Sequence, residues 1–396
     1  MLTTMPAPDH DRGCPLGAAV TLAQLDADPH PVHARLRAAE PVSWLPVLGG
    51  WLVTRHDLAL AAMRDPGTFT VDDPRFSTAQ VIGPSMLSLD GERHEHHRAP
   101  FAGPFRPAAV RARFGDVAAA EAARLVDALA PEGRGELRRS FAGPMAAVIV
   151  TRALGLAADE AADVLRWYDA IVASVTSITA GAAATESGGR AFADLRARLQ
   201  TVIGGSDEAS LLAAAAADTA LTDDEIASNA AVLLFGGIET TEGMIANALL
   251  MLLRERGAWA AVRDDPAGLD DAIDESLRLE PAAAVIDRYA TRDTVLGDAE
   301  IVGGELVRLS LAAANRDPAV FPRPDVFEPG RGRRGNLAFA QGPHVCVGVH
   351  LARLEARAAL AELIARLPRL RLHPDRPAAV RGLVFRKPPR LHAIWS

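Results

Sequence analysis

A mostly apolar segment without proline, Asp223–Arg254, predicts a helix far longer than the average for globular proteins. Thr222 and the acidic residues after it form a typical helix N-terminus. Roughly 30 residues at a rise of 1.5 Å each give a helix about 45 Å long. The sequence therefore predicts one long apolar helix.

Other parts of the chain also show helical spacing of apolar residues and are rich in alanine, leucine, arginine and glutamate. These segments are 107–129, 160–177 and 351–367, and the alanine run 213–217 is expected in a helix or at its approach. Strand candidates are short: 42–53 predicts a hairpin around Gly49 and Gly50, and 296–309 and 384–395 could supply others.

The chain has 396 residues, of which 49% are hydrophobic, so it can bury a sizeable core. Strands and helices do not alternate, which makes a doubly wound α/β fold improbable. We expect one domain over residues 1–396, mainly α, with a minor β part near 40–60, 284–310 and 380–396.

Composition excludes several classes of protein. The formal net charge is -8, whereas nucleic-acid-binding proteins carry a basic surface. Two cysteines, Cys14 and Cys346, are too few for a disulfide scaffold or a multi-cysteine metal site. Residues 1–25 hold no apolar stretch of signal-peptide length, and no apolar run is long enough to span a bilayer. We expect a soluble, cytoplasmic protein with no membrane anchor and no nucleic-acid partner.

The middle of the long helix contains residues that do not favour an apolar helix. Gly236 and Gly237 each cost about 1 kcal/mol relative to alanine. Glu239, Thr240 and Thr241 cost more unless they have partners. Such a local conflict marks either a functional site or close helix packing over the glycines, with Glu239 in solvent.

Cys346 lies just before another predicted helix, after the helix breakers Gly342 and Pro343. The N-terminus of a helix favours an anion and lowers a thiol pKa, and a thiolate is a soft metal ligand or a nucleophile. A buried structural cysteine and a catalytic pair with His344 remain alternatives. A c-type haem site is excluded, because the chain has no Cys-x-x-Cys-His.

Two further patterns are weak when taken alone. His94 and Arg98 are four residues apart and reach one helix face, as a ligand site or as part of a solvated polar turn. Glu275 and Arg278, three residues apart, predict an ion pair on one helix face.

Taken together, these segments resemble the cytochrome P450 family. Phe339-x-x-Gly342-x-His344-x-Cys346-x-Gly348 closely resembles the haem-binding loop of that family, although Ala340 replaces the usual glycine. The run from Gly236 to Thr241 resembles its oxygen-binding helix. The resemblance extends, in the right order, over nearly the whole chain.

The resemblance implies a P450-like fold, with haem b held between the glycine-bearing helix and the cysteine loop. It implies that Cys346 is the axial thiolate ligand of the haem iron. It also implies that Thr240 hydrogen-bonds iron-bound dioxygen, that Glu239 relays protons, and that Glu275 and Arg278 are structural. The residues implied to contact the haem or its propionates are His94, Arg98, Arg288, His344, Phe339, Gly342, Gly348, Gly236 and Gly237.

The activity implied is that of a bacterial-type haem-thiolate monooxygenase of secondary metabolism, which inserts one oxygen atom into a small, largely apolar molecule. Electrons would come from separate proteins, a ferredoxin and its reductase. Five arginines near the cysteine form either a basic docking patch or an ordinary solvated face: Arg331, Arg333, Arg334, Arg353 and Arg357. Oxidative coupling or ring closure, a haem protein that only binds a ligand, and a cysteine-nucleophile hydrolase remain as rivals.

Overall fold

The computed structural model describes residues 12–179, 183–203 and 221–395, so the alanine run 213–217 lies outside the described residues. The α-helices are α1 Pro15–Ala18, α2 Leu22–Ala27, α3 His30–Ala39, α4 His56–Arg64, α5 Ser77–Ile82, α6 Gly91–Ala102, α7 Pro107–Leu129, α8 Gly143–Ala153, α9 Ala161–Thr179, α10 Glu186–Ile203, α11 Asp223–Arg254, α12 Ala258–Asp264, α13 Leu269–Leu279, α14 Leu311–Ala314 and α15 Val349–Arg366.

The long helix predicted from the sequence is α11, and its bounds are confirmed. The Thr222 side chain accepts a hydrogen bond from the backbone N–H of Glu225, and the Glu225 carboxylate accepts one from the backbone N–H of Thr222. This capping box satisfies donors that the first turn of a helix leaves unpaired. Most of α11 is buried, so it forms the centre of the molecule.

The main apolar core surrounds α11. Residues from α7, α8, α9, α10, α13 and α15 contribute to it. A long apolar helix needs this cover, because apolar surface left in water costs roughly 25 cal/mol per Å². A second apolar cluster lies between the main sheet and α4, and includes Trp51, Ala59 and Val307.

The strands are short and form a small part of the fold. They are β1 Val42–Leu45, β2 Gly50–Val53, β3 Phe69–Thr70, β4 Arg134–Glu136, β5 Val285–Ala290, β6 Thr294–Leu296, β7 Ala299–Ile301, β8 Leu306–Ser310, β9 Arg371–Leu372 and β10 His392–Ile394. The main sheet has the order β1-β2-β8-β5-β3, in which only β2 and β8 run parallel. A three-stranded sheet, β4-β10-β9, and the hairpin β6-β7 complete the β part.

The hairpin predicted over 42–53 is confirmed. Val42 pairs with Val53, and Gly49 adopts a left-handed conformation (φ 58°) that turns the chain back. Strands β3, β4 and β9 lie outside the ranges expected for the β part, because two or three residues carry too little alternation to be recognised in the sequence. Within the described residues, no helix is long and apolar enough to cross a membrane.

Candidate functional site

The cysteine loop, residues 337–348, is held in shape by its own backbone and by α4. The backbone N–H of Cys346 donates to the carbonyl of Phe339 (2.9 Å). Gly342 has φ 76°, and a Cβ at this position would lie 2.4 Å from the carbonyl oxygen of Met63 in α4. Only glycine fits there, so the loop requires Gly342 for its close approach to α4.

Ala340, the one departure from the family's loop pattern, has φ 57°. Its backbone N–H donates to the carbonyl of Leu337 (2.9 Å), which closes a tight turn. Left-handed backbone costs a residue with a side chain roughly 1–2 kcal/mol. The loop therefore adopts a conformation suited to glycine and carries the strain of the alanine methyl group.

The sulfur of Cys346 is subject to opposing influences. Burial raises the pKa of the Cys346 thiol, while the backbone N–H of Gly348 and the charges of Arg98 and Arg353 act to lower it. The sequence predicts a thiol pKa lowered by the helix N-terminus; this is wrong for the protein alone, because burial outweighs the helix. Protein atoms surround the thiol, but the residue as a whole is exposed, so open space lies beside Cys346.

Helix α6 joins the cysteine loop to the central helix. Arg98 donates to the carbonyl oxygen of Val345 (2.5 Å), next to Cys346. One residue earlier, the imidazole of His97 is hydrogen-bonded to the side-chain amide of Asn229 in α11 (3.0 Å). Asn229 precedes Gly236 by about two helical turns. The loop and the middle of α11 are thus fixed relative to each other by one short helix.

The two adjacent glycines of α11 meet different surroundings. A Cβ on Gly236 would meet nothing within 4 Å, whereas a Cβ on Gly237 would lie 2.9 Å from a methyl group of Val150 in α8. Gly236 therefore borders open space, and Gly237 allows close helix packing. Thr240, which is half-buried, donates its hydroxyl hydrogen to the carbonyl of Gly236, four residues earlier on the same helix.

Glu239 is buried and fully partnered, so the solvated glutamate considered at the sequence level is not what the structure shows. One carboxylate oxygen accepts a hydrogen bond from the hydroxyl of Tyr168 in α9. The other lies 2.7 Å from the ammonium of Lys387, near the C-terminus. Neither Tyr168 nor Lys387 carries a local sequence signal, because 71 residues separate Tyr168 from Glu239 and Lys387 lies still further away.

A group of cationic and hydrogen-bonding side chains gathers beside the cysteine loop. The imidazoles of His94 and His344 have ring centroids 4.4 Å apart, and Nε2 of His344 lies 2.8 Å from a carboxylate oxygen of Asp90. Burial, and then the charges of His344 and Arg98, lower the pKa of His94 to about 4. The imidazole of His94 is therefore neutral at pH 7 in this structure.

Asp90 is a member of this group that sequence reasoning missed. It also accepts hydrogen bonds from the hydroxyl of Thr70 (2.6 Å) and the backbone N–H of Val71 (2.9 Å). Burial by itself raises the pKa of Asp90, but the hydrogen bonds from His344, Thr70 and Val71 outweigh it and lower the pKa to about 2. Asp90 is therefore ionised and fixes the orientation of His344.

Arg288, on β5, is buried, and burial lowers its pKa to about 10. It donates to the carbonyl of Asp287 (2.7 Å), but in the described part of the chain no carboxylate lies within ion-pair distance of its guanidinium. A buried arginine without a carboxylate is uncommon, since burying a charge is costly unless the charge is paired. Arg288 is therefore suited to an anion that is not part of the chain.

Glu275 and Arg278 form the structural pair that the sequence predicts. Both are almost fully buried and are joined by two hydrogen bonds of 2.8 Å. Arg278 also donates to the carbonyls of Asn315 and Pro324, which anchors the segment that leads to the cysteine loop. The buried pair therefore connects α13 to the segment that precedes the cysteine loop.

The five arginines considered as a basic patch mostly form ion pairs within the protein. Arg333 and Arg353 both contact Asp274, Arg331 contacts Glu275 and Glu328, and Arg357 contacts Asp270. Each of these four arginines has an acidic partner, although two of them share Asp274 and Glu275 also pairs with Arg278.

Apolar side chains approach the middle of α11 from the C-terminal segment. The rings of Phe235 and Phe385 pack edge to face with centroids 5.4 Å apart, and Ala283 forms a β-bridge with Phe385. A surface cavity of about 360 Å³ lies elsewhere, beside Glu92, His97 and Glu225, and does not include the cysteine loop.

Comparison with known proteins identifies the family. The family model for cytochrome P450 matches residues 268–389. The chain is 34% identical to cytochrome P450 monooxygenase PikC of Streptomyces venezuelae, over 87% of this chain and 85% of that protein. It is 33% identical to nocardicin C N-oxygenase of Nocardia uniformis subsp. tsuyamanensis, over 97% and 98%. The chain belongs to the cytochrome P450 family.

The fold agrees with this assignment. The crystal structure of CalO2 superposes with a TM-score of 0.84 at 27% identity, over 94% of this chain and 98% of that one. The mainly helical P450 fold expected from the sequence is thereby confirmed, and the chain is a P450 monooxygenase. P450 proteins use haem as their cofactor.

The residues of this P450 fit a haem on three independent observations. Nε2 of His94 is buried and, within the described residues, has no hydrogen-bond partner. Arg288 is buried without a carboxylate, as a propionate site requires. Open space lies over Gly236, where a flat macrocycle and a small ligand need room. Donors for two propionates and a cysteine that borders open space are thus present together.

Proposed function

We propose that this P450 hydroxylates a small, largely apolar organic molecule at a haem b ligated by Cys346, with electrons from a separate ferredoxin and ferredoxin reductase. The observation that carries the proposal is that α6 contacts both the cysteine loop and α11. This helix fixes a cysteine that borders open space relative to the glycine-bearing part of α11.

The cysteine loop supplies the metal ligand. Arg98 and Arg353 place positive charge near the Cys346 sulfur, and the N–H of Gly348 donates to it, which favours the thiolate once a cation compensates for burial. Phe339 and Gly342 fix the loop, and Gly348 immediately precedes α15 next to the sulfur. When bound, the haem iron would activate dioxygen and transfer one oxygen atom to the substrate.

The haem propionates would accept hydrogen bonds from the cationic and hydrogen-bonding side chains beside the cysteine loop. His94 offers an unpartnered Nε2, while Arg98 and Arg288 offer guanidinium groups that no carboxylate of the described chain engages. His344 completes the set and is oriented by Asp90. A carboxylate bound here would favour protonation of His94 and offset the burial of Arg288.

Thr240 and Glu239 are proposed to supply protons on the open side of α11. The Thr240 hydroxyl is held by the carbonyl of Gly236, so its oxygen has a fixed position from which it can accept and pass on a proton. Gly236 leaves room for dioxygen above this hydroxyl, and Gly237 keeps α11 close to α8. Both oxygens of Glu239 are engaged elsewhere, so Glu239 must release one partner before it exchanges a proton with Thr240.

The substrate would lie against the apolar residues around Phe235, Phe385 and Ala283, which converge on the middle of α11. An apolar lining with few polar groups selects an apolar molecule. The names of the two relatives given above include an N-oxygenase, so oxygen transfer to nitrogen is a second outcome that product analysis would reveal. Cytoplasmic location and a role in secondary metabolism stay predictions.

The proposal for separate electron donors is supported by the extent of the P450 fold, since the CalO2 match spans 94% of these residues. Since four of the five arginines near the cysteine already form ion pairs within the protein, we expect these arginines to contribute less to docking than free surface charges would.

The absorption spectrum of the reduced protein with carbon monoxide tests the haem-thiolate assignment. The expected result is the strongly red-shifted Soret band of a thiolate–haem–CO complex, because sulfur donates electron density to the iron. Cys346→Ala removes the ligand and should abolish the band. Cys14→Ala, the matched control, removes the other cysteine and should keep it. A protein without haem, or a Cys346→Ala variant that keeps the band, would contradict the proposal.

Oxygen consumption then separates an oxygenase from a haem protein that only binds ligands. With a surrogate ferredoxin and reductase, an apolar compound that shifts the Soret band should raise the rate of NADH-driven oxygen uptake and yield an oxygenated product. Binding without turnover would favour the ligand-binding alternative. Active protein that lacks haem would favour the hydrolase.

A further inference from the structure

The single lysine of this chain lies in a buried cluster of charges next to Glu239. The chain has 42 lysine and arginine residues in total, and all except Lys387 are arginine. The ammonium of Lys387 contacts Glu239 (2.7 Å) and Glu242 (2.5 Å), and its side chain is only 11% exposed. One cation thus bridges two carboxylates that are three residues apart on α11.

The cluster is balanced in charge. Glu242 also contacts the guanidinium of Arg138, at 3.2 Å, from the π-helical segment Arg138–Ala142. Two acids therefore meet two cations, and the hydroxyl of Tyr168 completes the surroundings of Glu239. Arg138 reaches Glu242 but makes no ion pair with Glu239, so Lys387 is the cation that determines where the Glu239 carboxylate points.

The backbone that carries Lys387 is fixed to α11 at two other points. The side-chain amide of Asn247 donates to the carbonyl of Arg386 (2.9 Å), and Phe385 packs against Phe235. The backbone N–H of Arg386 also donates to the carbonyl of Ala282 (2.9 Å). A lysine on a fixed backbone holds a neighbouring carboxylate in one place, whereas a flexible surface lysine would not.

A role for Lys387 as a proton carrier is disfavoured by the same contacts. The Lys387 ammonium is an ion-pair partner of both carboxylates, and transfer of its proton would leave the two acids with Arg138 as their remaining cation in the cluster. A fixed positive charge, by contrast, keeps the Glu239 carboxylate in one orientation.

We propose that Lys387 is a positioning residue for proton delivery, which holds one oxygen of the Glu239 carboxylate so that the other, bonded to Tyr168, is the one released to exchange a proton with Thr240. This inference rests on the proposed role of Glu239. Lys387 touches neither haem nor substrate, and it acts through Glu239 alone.

Dioxygen itself is the probe that tests this inference. With NADH and a surrogate ferredoxin and reductase, reduction of dioxygen to water consumes four electrons and four protons, and reduction to hydrogen peroxide consumes two of each. Slower proton delivery therefore raises the peroxide formed per NADH. We expect Glu239→Gln and Lys387→Met each to raise this ratio about threefold, because a missing or misplaced acid–base group delivers protons more slowly.

The double variant distinguishes positioning from general damage to the structure. If Lys387 acts through Glu239, the double variant Glu239→Gln with Lys387→Met gives no more peroxide than Glu239→Gln alone, since coupled residues are not additive.

Two single variants serve as controls. Lys387→Arg keeps the positive charge and should keep the peroxide ratio close to that of the wild type. Arg138→Met, the matched control, removes the cluster's other cation and should have less than about half the effect. The carbon monoxide spectrum checks that each variant is folded and holds haem.

The outcomes separate the two proposals. If Glu239→Gln leaves the ratio unchanged, the proposed role of Glu239 fails. If Glu239→Gln raises the ratio but Lys387→Met does not, or if the two effects add, the role of Lys387 is overturned. If the Lys387→Met variant does not hold haem, the double variant Lys387→Met with Glu242→Gln is tested instead. It removes one cation and one acid, so the cluster stays balanced in charge while Glu239 lacks its cation.

Discussion

At the scale of single residues, the cysteine loop contains one position where backbone and side chain disagree. Ala340 adopts the left-handed conformation of Gly342, although it carries a methyl group. Gly342 has a steric reason to be glycine, since its missing side chain makes room for the Met63 carbonyl. Ala340 packs against the apolar cluster that lies between the main sheet and α4, so its methyl group gains some contact in return for the strain.

Ala340→Gly should stabilise the protein slightly. Relief of left-handed strain is worth roughly 1–2 kcal/mol, and the greater freedom of glycine in the unfolded chain offsets about half of it. We expect the free energy of unfolding to rise by about 0.5–1 kcal/mol, measured by urea unfolding of the haem-loaded protein.

Ala338→Gly is the matched control for this measurement. Ala338 lies two residues away and is not among the residues with positive φ, so glycine there should lower the free energy of unfolding. A fall in stability for Ala340→Gly as large as that for Ala338→Gly would show that the loop gains nothing from glycine.

At the scale of elements, the two adjacent glycines in the middle of α11 face different surroundings, α8 on one side and open space on the other. Gly237 lets α11 approach α8, where Val150 occupies the space a side chain would need. Gly236 lies on the half-exposed face that also includes Val232 and Thr240. The same helix therefore packs tightly on one side and leaves open space on the other.

Gly237→Ala should destabilise the protein, because its Cβ would lie 2.9 Å from a branched side chain. Overpacking costs typically 1–3 kcal/mol, against a gain of about 1 kcal/mol from helix propensity. We therefore expect a net loss of roughly 0–2 kcal/mol in urea unfolding. Gly236→Ala, the matched control, meets no atoms and should not lose stability.

A second variant makes this prediction specific to Val150. In a Val150→Ala background the methyl group that blocks Gly237 is gone, so Gly237→Ala should become stabilising by about 1 kcal/mol. Equal effects of Gly237→Ala in both backgrounds would show that contact with Val150 does not require the glycine.

At the scale of the whole molecule, Glu280 ties together segments from both ends of the chain. It follows α13 and contacts His30 of α3, Arg316 after α14, and Arg386 near the C-terminus. Burial alone raises the pKa of Glu280, but the hydrogen bond from His30 and the charges of His30, Arg386 and Arg316 outweigh it and lower the pKa to about 2. The ionised carboxylate is therefore part of the folded structure.

Stability should consequently fall in acid. A carboxyl group whose pKa is lowered on folding stabilises the protein fully above its unfolded value of 4.5, and this contribution is lost as the pH falls from 4.5 towards about 2. The full contribution is about 3 kcal/mol at one pKa unit per 1.4 kcal/mol. Asp90, whose pKa is lowered to about 2, contributes in the same direction.

Urea unfolding followed by tryptophan fluorescence at neutral pH and at pH 3 measures this effect. Glu280→Gln should lower stability at neutral pH and reduce the loss between the two pH values, since the titrating group is gone. Glu300→Gln replaces an exposed glutamate and should leave the pH dependence unchanged. An unaltered acid loss in Glu280→Gln would assign that loss to other groups.

Several features of the whole molecule were determined by the sequence alone. The bounds of α11 and α7, the hairpin over 42–53, the Glu275–Arg278 pair and the hydrogen bond from Thr240 to Gly236 all follow from contacts between residues close in sequence. The cysteine loop was recognisable for the same reason, because Phe339, Gly342, His344, Cys346 and Gly348 fall within ten consecutive residues.

Only the tertiary structure decided the surroundings of the reactive groups. Lys387 meets Glu242 across 145 residues, and Asp90 meets His344 across 254, so no local pattern could reveal either pair. The burial of Cys346 also depends on the whole fold. It raises the pKa of the thiol, whereas the position before a helix predicts a lowered pKa. Local sequence fixes backbone conformation and short-range pairs, whereas desolvation and ion pairing depend on which distant segments pack together.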